Sequence, residues 1–269
     1  MAQNHYTVHP INKNTFALEE KNKGAQGLCY LLIGDEKALL IDTCFGLTGF
    51  LPAVKSLTNL PIIVANTHVH VDHIGGNHFF DEIWFHQADK DIFTLHINPE
   101  YTLNLLAEGL PAPLRALMGA ATKSERSISS AGSYHYFGDE HVFHLGGRDI
   151  EVIPTPGHTP GSVCFLDSEA RMLFSGDTVC EWGILLHFKG EGCPPEVFLQ
   201  SMQRLKKEEH RFDTIWPGHH GFPVEKSYID DYLTCAQQIV EGTVTYSKTK
   251  GRTCAKYNRV LITVQQKEI

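Results

Sequence analysis

The stretch Thr67-His68-Val69-His70-Val71-Asp72-His73-Ile74-Gly75-Gly76 puts four metal-competent side chains, His68, His70, Asp72 and His73, into six consecutive positions. His68 and His70 are two apart, so on extended backbone their rings project to one side, while Asp72 and His73 fall in the tightening turn that follows. A neutral imidazole is the commonest protein metal ligand, and a carboxylate beside it adds a harder oxygen donor and compensating charge. The chemistry these residue types suit is metal coordination. Three further segments supply donors of the same kind: Pro156-Gly157-His158-Thr159-Pro160-Gly161-Ser162, Phe174-Ser175-Gly176-Asp177-Thr178 and Trp216-Pro217-Gly218-His219-His220-Gly221. Each sets a His or Asp beside a glycine at a strand end, where backbone can bend sharply and admit a metal.

Side chains placed in this way need strands that stop where they begin. Pro61 to Ala65 is short, β-branched and bounded by turn formers, which predicts a buried strand ending at the histidine cluster. Upstream, Leu28 to Ile33 and Ala38 to Ile41 form a predicted hairpin around Gly34-Asp35-Glu36-Lys37, followed by a helical stretch from Gly49 to Leu57. Downstream comes a short strand at Ile83 to Phe85. Then a predominantly helical segment, with Leu105, Leu110, Leu114 and Leu117 at loosely helical spacing, reads as an insertion over about residues 88–136. From His141, a hairpin turns at Gly146-Gly147-Arg148-Asp149, and another turns at Asp167-Ser168-Glu169-Ala170. Pro195 to Glu209 is an amphipathic helix opened by the Pro194-Pro195 pair. Thr214 to Trp216 is a strand, Lys226 to Gly242 a last helix, and Arg259 to Val264 an edge strand. Two blocks of strands, each followed by helices, predict an α+β fold of two face-to-face sheets with helices outside. No linker rich in Pro, Gly or Ser interrupts it, so the chain reads as one domain, 1–269.

With the HxHxDH run complete and His158, Asp177 and His219 following in order, the sequence resembles the metallo-β-lactamase superfamily of metallohydrolases from about residue 15 to 240. The resemblance implies a four-layer αββα sandwich with a dinuclear site at one edge of the sheets. Carried over motif by motif, His68, His70 and His158 would hold a first metal, Asp72, His73 and His219 a second, and Asp177 would bridge both. Asp42, in Leu40-Ile41-Asp42-Thr43, would orient ligands by hydrogen bonds from behind. Two zinc ions suit nitrogen-rich ligation without thiolate, iron or manganese being compatible with the same ligand types. His70 stands where the diiron flavoprotein branch carries a Glu. Two cations about 3.5–4 Å apart acidify a shared water, so the implied activity is hydrolysis by a metal-bound hydroxide, with Asp72 guiding the water and shuttling its proton.

Within that superfamily Asp177 argues against a β-lactam hydrolase, whose branch has Cys or Ser there, and fits the glyoxalase II-like thioesterases and the lactonases. Only fifty residues follow His219, and the basic glutathione-binding pattern of glyoxalase II is missing, so the expected substrate is a small ester, lactone or thioester. The alternatives are an iron-dependent, oxygen-using enzyme of the persulfide dioxygenase kind and, against the sense of Asp177, a β-lactam hydrolase; a metal-binding protein without activity is disfavoured by the complete ligand set. Tyr134, Tyr136, Phe137, Trp182 and His187 flank the site motifs, although aromatics at loop ends more often pack than bind. His78, His86, His96, His141, His144 and His220 fit no ligand slot and read as surface or hydrogen-bonded histidines.

The bulk composition agrees. In 269 residues, 42% hydrophobic and 20% charged describe a globular chain able to bury a sizeable core. A net charge of -8 with no basic block excludes a nucleic-acid partner. No apolar run is long enough to span a bilayer and the amino terminus lacks a signal-peptide pattern, so the expected location is cytoplasmic, without membrane partners. The seven cysteines show no CxxC spacing and read mostly as small buried hydrophobes. An exposed strand near the tail leaves a homodimer open.

Overall fold

Alternation and apolar runs together generate the first sheet. The computed structural model describes residues 5–22, 25–106, 133–186, 190–249 and 252–264. In it, β1 (Tyr6–Asn12), β2 (Thr15–Asn22), β3 (Ala25–Ile33) and β4 (Ala38–Ile41) form an antiparallel meander. It is extended by the parallel strands β5 (Ile62–Ala65), β6 (Glu82–His86) and β7 (Ser133–Phe137), giving seven strands in sequential order. All four residues of β4 are buried, the pattern of a strand covered on both faces. Parallel neighbours need a crossover, and α1 (Phe50–Lys55) supplies the one between β4 and β5, burying Phe50 and Val54 against the sheet's outer face.

The second sheet runs β13-β11-β10-β9-β8, built from β8 (Val142–His144), β9 (Asp149–Pro154), β10 (Val163–Asp167), β11 (Met172–Gly176) and β13 (Thr214–Pro217). Tyr30, Leu39, Ile41 and Ala65 from the first sheet pack between Val152, Phe165, Phe174 and Trp216 of the second, forming the inner core. Leu39, Ile41, Phe165 and Phe174, with at most 1% exposure, each contribute roughly 1.5–3 kcal/mol. Arg148 fastens the sheets at one edge, donating to Asp167 Oδ2 at 2.8 Å, to Thr15 Oγ1 at 2.8 Å and to the Asn14 carbonyl at 2.8 Å. Outside the second sheet, α5 (Pro195–Glu208) and α6 (Ser227–Glu241) bury Phe198, Met202, Leu205, Ile229, Tyr232 and Cys235. The αββα sandwich is therefore present, and α5 begins at the proline pair as its fixed φ favours. Six of the seven cysteines are buried.

Three expectations change. The segment 88–136 is not wholly helical: α3 (Lys90–His96) and α4 (Pro99–Leu106) occupy its start, but residues 133–136 belong to β7, because Ser133-Tyr134-His135-Tyr136-Phe137 pairs in parallel with β6. Leu110, Leu114 and Leu117 lie outside the described residues. A third sheet, ordered β12-β16-β15-β14, adds β12 (Ile184–Leu185), β14 (Tyr246–Thr249), β15 (Arg252–Tyr257) and β16 (Val260–Val264). The tail strand β16 is thus interior rather than an edge, since Val260 and Ile262 are needed in the core under α6. The exposed edge is β14. Among the described residues no helix is long and apolar enough to cross a membrane.

Candidate metal centre

Five strands deliver the predicted residues to one edge of the sandwich. β4 and β5 are parallel, and their carboxy-terminal ends lead into Asp42 and into Asn66-Thr67-His68. β9 and β11 are both antiparallel to β10, and β13 is parallel to β11, so all three point the same way. They end at His158, Asp177 and His219. Past β5 the chain stays extended at His70 (φ -69°, ψ 151°) and then coils into the single turn α2 (Val71–Ile74), which folds Asp72 and His73 back toward the histidine pair.

The seven side chains converge. His68, His70 and His158 offer ring nitrogens that all lie within 4.8 Å of one another, as do the donor atoms of Asp72, His73 and His219. Asp177 stands between the groups and divides its oxygens. Oδ2 lies 3.5 Å from His158 Nε2, whereas Oδ1 lies 3.4 Å from His73 Nε2 and 3.5 Å from His219 Nε2. Among the described residues, Asp177 Oδ1 is a buried side-chain oxygen without a hydrogen-bond partner. A buried carboxylate oxygen left that way costs about 1–3 kcal/mol or more unless a cation meets it. That orphan, within a pocket of five imidazoles and two carboxylates, fits binding of a divalent cation.

Partners behind the rings decide which nitrogen each histidine turns inward. His73 Nδ1–H donates to Asp42 Oδ2 at 2.8 Å, His158 Nδ1–H to the Leu185 carbonyl at 2.7 Å and His219 Nδ1–H to the Gln26 carbonyl at 2.6 Å, so each presents Nε2. Thr67 donates its hydroxyl to Asp42 Oδ2 at 2.7 Å and accepts from His68 Nδ1 at 3.2 Å, which turns His68 Nε2 inward too. His70 is reversed: its Nε2–H meets Glu191 Oε2 at 2.9 Å, and Nδ1 faces His68 Nε2 at 3.1 Å. Asp42 also accepts the Thr67 backbone N–H at 2.8 Å and sits in the left-handed region at φ 60°, a strained conformation held by those three bonds.

The electrostatics follow from burial and mutual contact. Burial, then the neighbouring His73, His70 and His158, hold His68 well below the ordinary imidazole value; burial brings His70 down to about 4, against the opposing bond to Glu191. Burial would depress His73 and His219 as well, yet Asp42 and Asp177 raise the former well above its ordinary value, and Asp177 with Asp72 raise the latter to about 9. Asp72 and Asp177 are held well below the carboxylate range by the adjoining histidines, which outweigh burial.

Glycine makes room at two positions. A side chain at Gly218 would place its Cβ 2.7 Å from His73 Cε1 and 3.0 Å from Asp177 Oδ1; at Gly176 (φ 50°) a Cβ would stand 2.4 Å from Thr67 Oγ1. Asp89, unforeseen from sequence, braces the His158 loop by accepting from Gly161 N–H at 2.6 Å and from the Thr159 hydroxyl at 2.8 Å. Glu191 was unforeseen too. Its signal is a lone acid flanked by glycines, Gly190-Glu191-Gly192, in an otherwise weakly charged loop. Of the flanking aromatics, Phe137 is buried in the inner core and Tyr134 packs on Phe93, whereas Trp182 is 71% exposed and stacks on His220. His187 lies outside the described residues.

The family model for the metallo-beta-lactamase superfamily matches residues 22–219. The chain belongs to that superfamily. An acyl-coenzyme A thioesterase, MBLAC2, of Gallus gallus is 27% identical over 233 residues, 81% of this chain and 82% of that protein. A hydroxyacylglutathione hydrolase, GloC, of Haemophilus influenzae is 30% identical over 164 residues, 58% of this chain and 68% of that protein. Among solved structures, VMB-1 superposes with a TM-score of 0.63 at 15% identity, covering 89% of this chain and 100% of the other. A metallo-beta-lactamase from Pontibacter korlensis gives 0.59 at 19% identity, covering 86% and 99%. Identities this low speak for the fold alone.

Proposed function

We propose that this single-domain chain is a dinuclear, zinc-dependent hydrolase of small acyl thioesters, with His68, His70 and His158 holding one ion, Asp72, His73 and His219 the other, and Asp177 bridging. The observation that carries the metal pair is the division of Asp177's oxygens between the two histidine groups, with Oδ1 otherwise unsatisfied. Support for the thioester comes from the relatives that hydrolyse acyl-coenzyme A and hydroxyacylglutathione. Bound cations would supply an acidified water and polarise the acyl carbonyl.

The chain does the rest. Asp42, Thr67 and two backbone carbonyls hold His73, His68, His158 and His219 in the tautomers ligation requires. Asp72 has the most exposed side chain of the donors named in these ion pairs, at 30%, with Oδ2 3.3 Å from His219 Nε2, and it remains ionised. From there it orients the attacking water and accepts its proton as the carbonyl carbon is attacked. The C–S bond then breaks, the sulfur leaves as thiolate, and the proton passes to it, giving a carboxylic acid and a thiol. A thiolate is a good enough leaving group, with an ordinary pKa near 8.5, to need no strong acid.

Initial rates of the zinc-loaded protein on matched thioester and lactone probes test this, with Asp72→Ala as control. Faster thioester turnover, lost in the variant by about 100-fold or more, is the expected result. Undiminished hydrolysis by Asp72→Ala would overturn the mechanism, and silence on both probes with two ions bound would overturn the substrate class.

A further inference from the structure

Behind the first group of histidines lies a second buried cluster that the proposed chemistry uses only through His70. Glu191 Oε2 is 2.9 Å from His70 Nε2 and 3.1 Å from His96 Nε2, and Tyr101 donates its hydroxyl to Glu191 Oε1. His70, His96 and Glu191 are all buried, with His96 fully so. The hydrogen bonds settle the protons. Val71 N–H donates to His96 Nδ1 at 3.1 Å, so the His96 proton is on Nε2 and points at Glu191. A carboxylate only accepts, so His70 also donates from Nε2 and turns Nδ1 toward His68. These three residues lie close enough to hold an ion of their own. Their facing atoms already form a matched set of donors and acceptors, the arrangement of a support and not of an additional metal site.

The loop carrying Glu191 is itself pinned. Cys193 N–H bonds the Gly157 carbonyl at 2.8 Å, tying it to the His158 loop, and a Cβ at Gly192 would stand 2.0 Å from the Leu186 carbonyl. The same stretch supplies the Leu185 carbonyl that orients His158.

We propose that Glu191 is the positioning residue of the first metal site. It locks His70 in the Nε2–H tautomer so that Nδ1 faces the ion, and it is itself held by His96 from α3 and Tyr101 from α4. The inference rests on His70 being a ligand. It makes the affinity of one ion, and not the other, depend on a carboxylate from a loop that contributes no ligand.

Chelator competition on the 269-residue chain, resolving two equivalents of zinc, tests it alongside long-range 1H–15N spectra of the histidine rings. Glu191→Ala should weaken one equivalent by about 10–100-fold and leave the other within about threefold. His70 should carry its proton on Nε2 in the zinc-loaded wild type and lose that single tautomer in the variant. Glu191→Gln keeps one accepting oxygen and should fall between; it carries the test if circular dichroism shows that Glu191→Ala does not fold. Tyr101→Phe should weaken the same equivalent by a few-fold. Two equivalents bound by Glu191→Ala as tightly as by wild type would overturn the inference while leaving the dinuclear reading intact. A wild type that takes up no zinc would overturn both.

Discussion

Asp42 illustrates how much of the centre rests on atoms that would never touch a metal. Its Oδ2 accepts from both His73 and Thr67, and its Oδ1 accepts the Thr67 N–H. Asn tolerates the same left-handed backbone, so Asp42→Asn should keep the fold but set an amide N–H against either the Thr67 N–H or the His73 Nδ1–H, loosening the hold on His73. The expected result is a second-site zinc affinity lower by about 10–100-fold, read by chelator competition; unchanged affinity would remove Asp42 from the site. A pH effect follows from the same neighbourhood. His219 titrates at about 9 in the metal-free chain because Asp177 and Asp72 outweigh burial. Ligation needs the unprotonated ring, so zinc uptake at pH 7 should release a proton there and affinity should climb with pH until about 9. Stability of the metal-free fold runs the opposite way. A raised value stabilises the metal-free fold fully below 6.5 and loses that contribution as pH rises through about 9. Calorimetry in buffers of different ionisation enthalpy measures the released protons, and finding none would contradict the assignment.

At the scale of elements, the centre depends on strand ends meeting without side chains between them. Gly218, at the exit of β13, meets one of the clustered histidines directly, its missing Cβ lying 2.7 Å from His73 Cε1. Gly218→Ala should therefore cost about 1–3 kcal/mol in thermal or denaturant unfolding, with the second zinc equivalent weakened; a silent substitution would mean the strand end can shift. The strands that carry these glycines were legible because each is a short apolar run cut off by a turn former. β1, β2 and β7 were harder to see: Tyr6–Asn12 and Thr15–Asn22 are mixed in polarity, and Ser133–Phe137 follows a stretch whose apolar spacing reads as helical in the sequence and becomes a strand only by pairing with β6. Of the third sheet only the tail strand was legible, and Ile184–Leu185 was not, since it is two residues long and gains its identity from distant Ile262 and Thr263. The seven convergent donors were legible from motif order. Glu191, Asp89 and Thr67 were not, because a single hydrogen-bonding side chain leaves no periodic trace and is recognised only by what it faces.

Across the whole molecule, the two sheets and the proposed metal pair are thermodynamically one object. The donors come from both sheets, β5 of the first and β9, β11 and β13 of the second, with Tyr30 donating to the Pro217 carbonyl at 2.6 Å just behind them. Anything that binds this edge joins the sheets and exists only in the folded chain, where Asp177 Oδ1 is buried without a partner. Binding confined to the native state stabilises it by RT ln(1 + [L]/Kd), about 2.7 kcal/mol per site at a hundredfold excess over Kd. For a chain of this size about 1 kcal/mol moves Tm by roughly 2–4 °C, so stripping one such site should lower Tm by about 5–10 °C, and restoring zinc should return it. Two sites of unequal affinity should give two increments as zinc is added back. The first increment alone should shrink in Glu191→Ala if the tighter site is that of His70, and the second more than the first in Asp42→Asn, because Asp42 bonds His73 directly and reaches His68 only through Thr67. A Tm indifferent to chelator would mean that the clustered carboxylates and imidazoles are satisfied by one another, and the hydrolytic reading would fall with the metal pair.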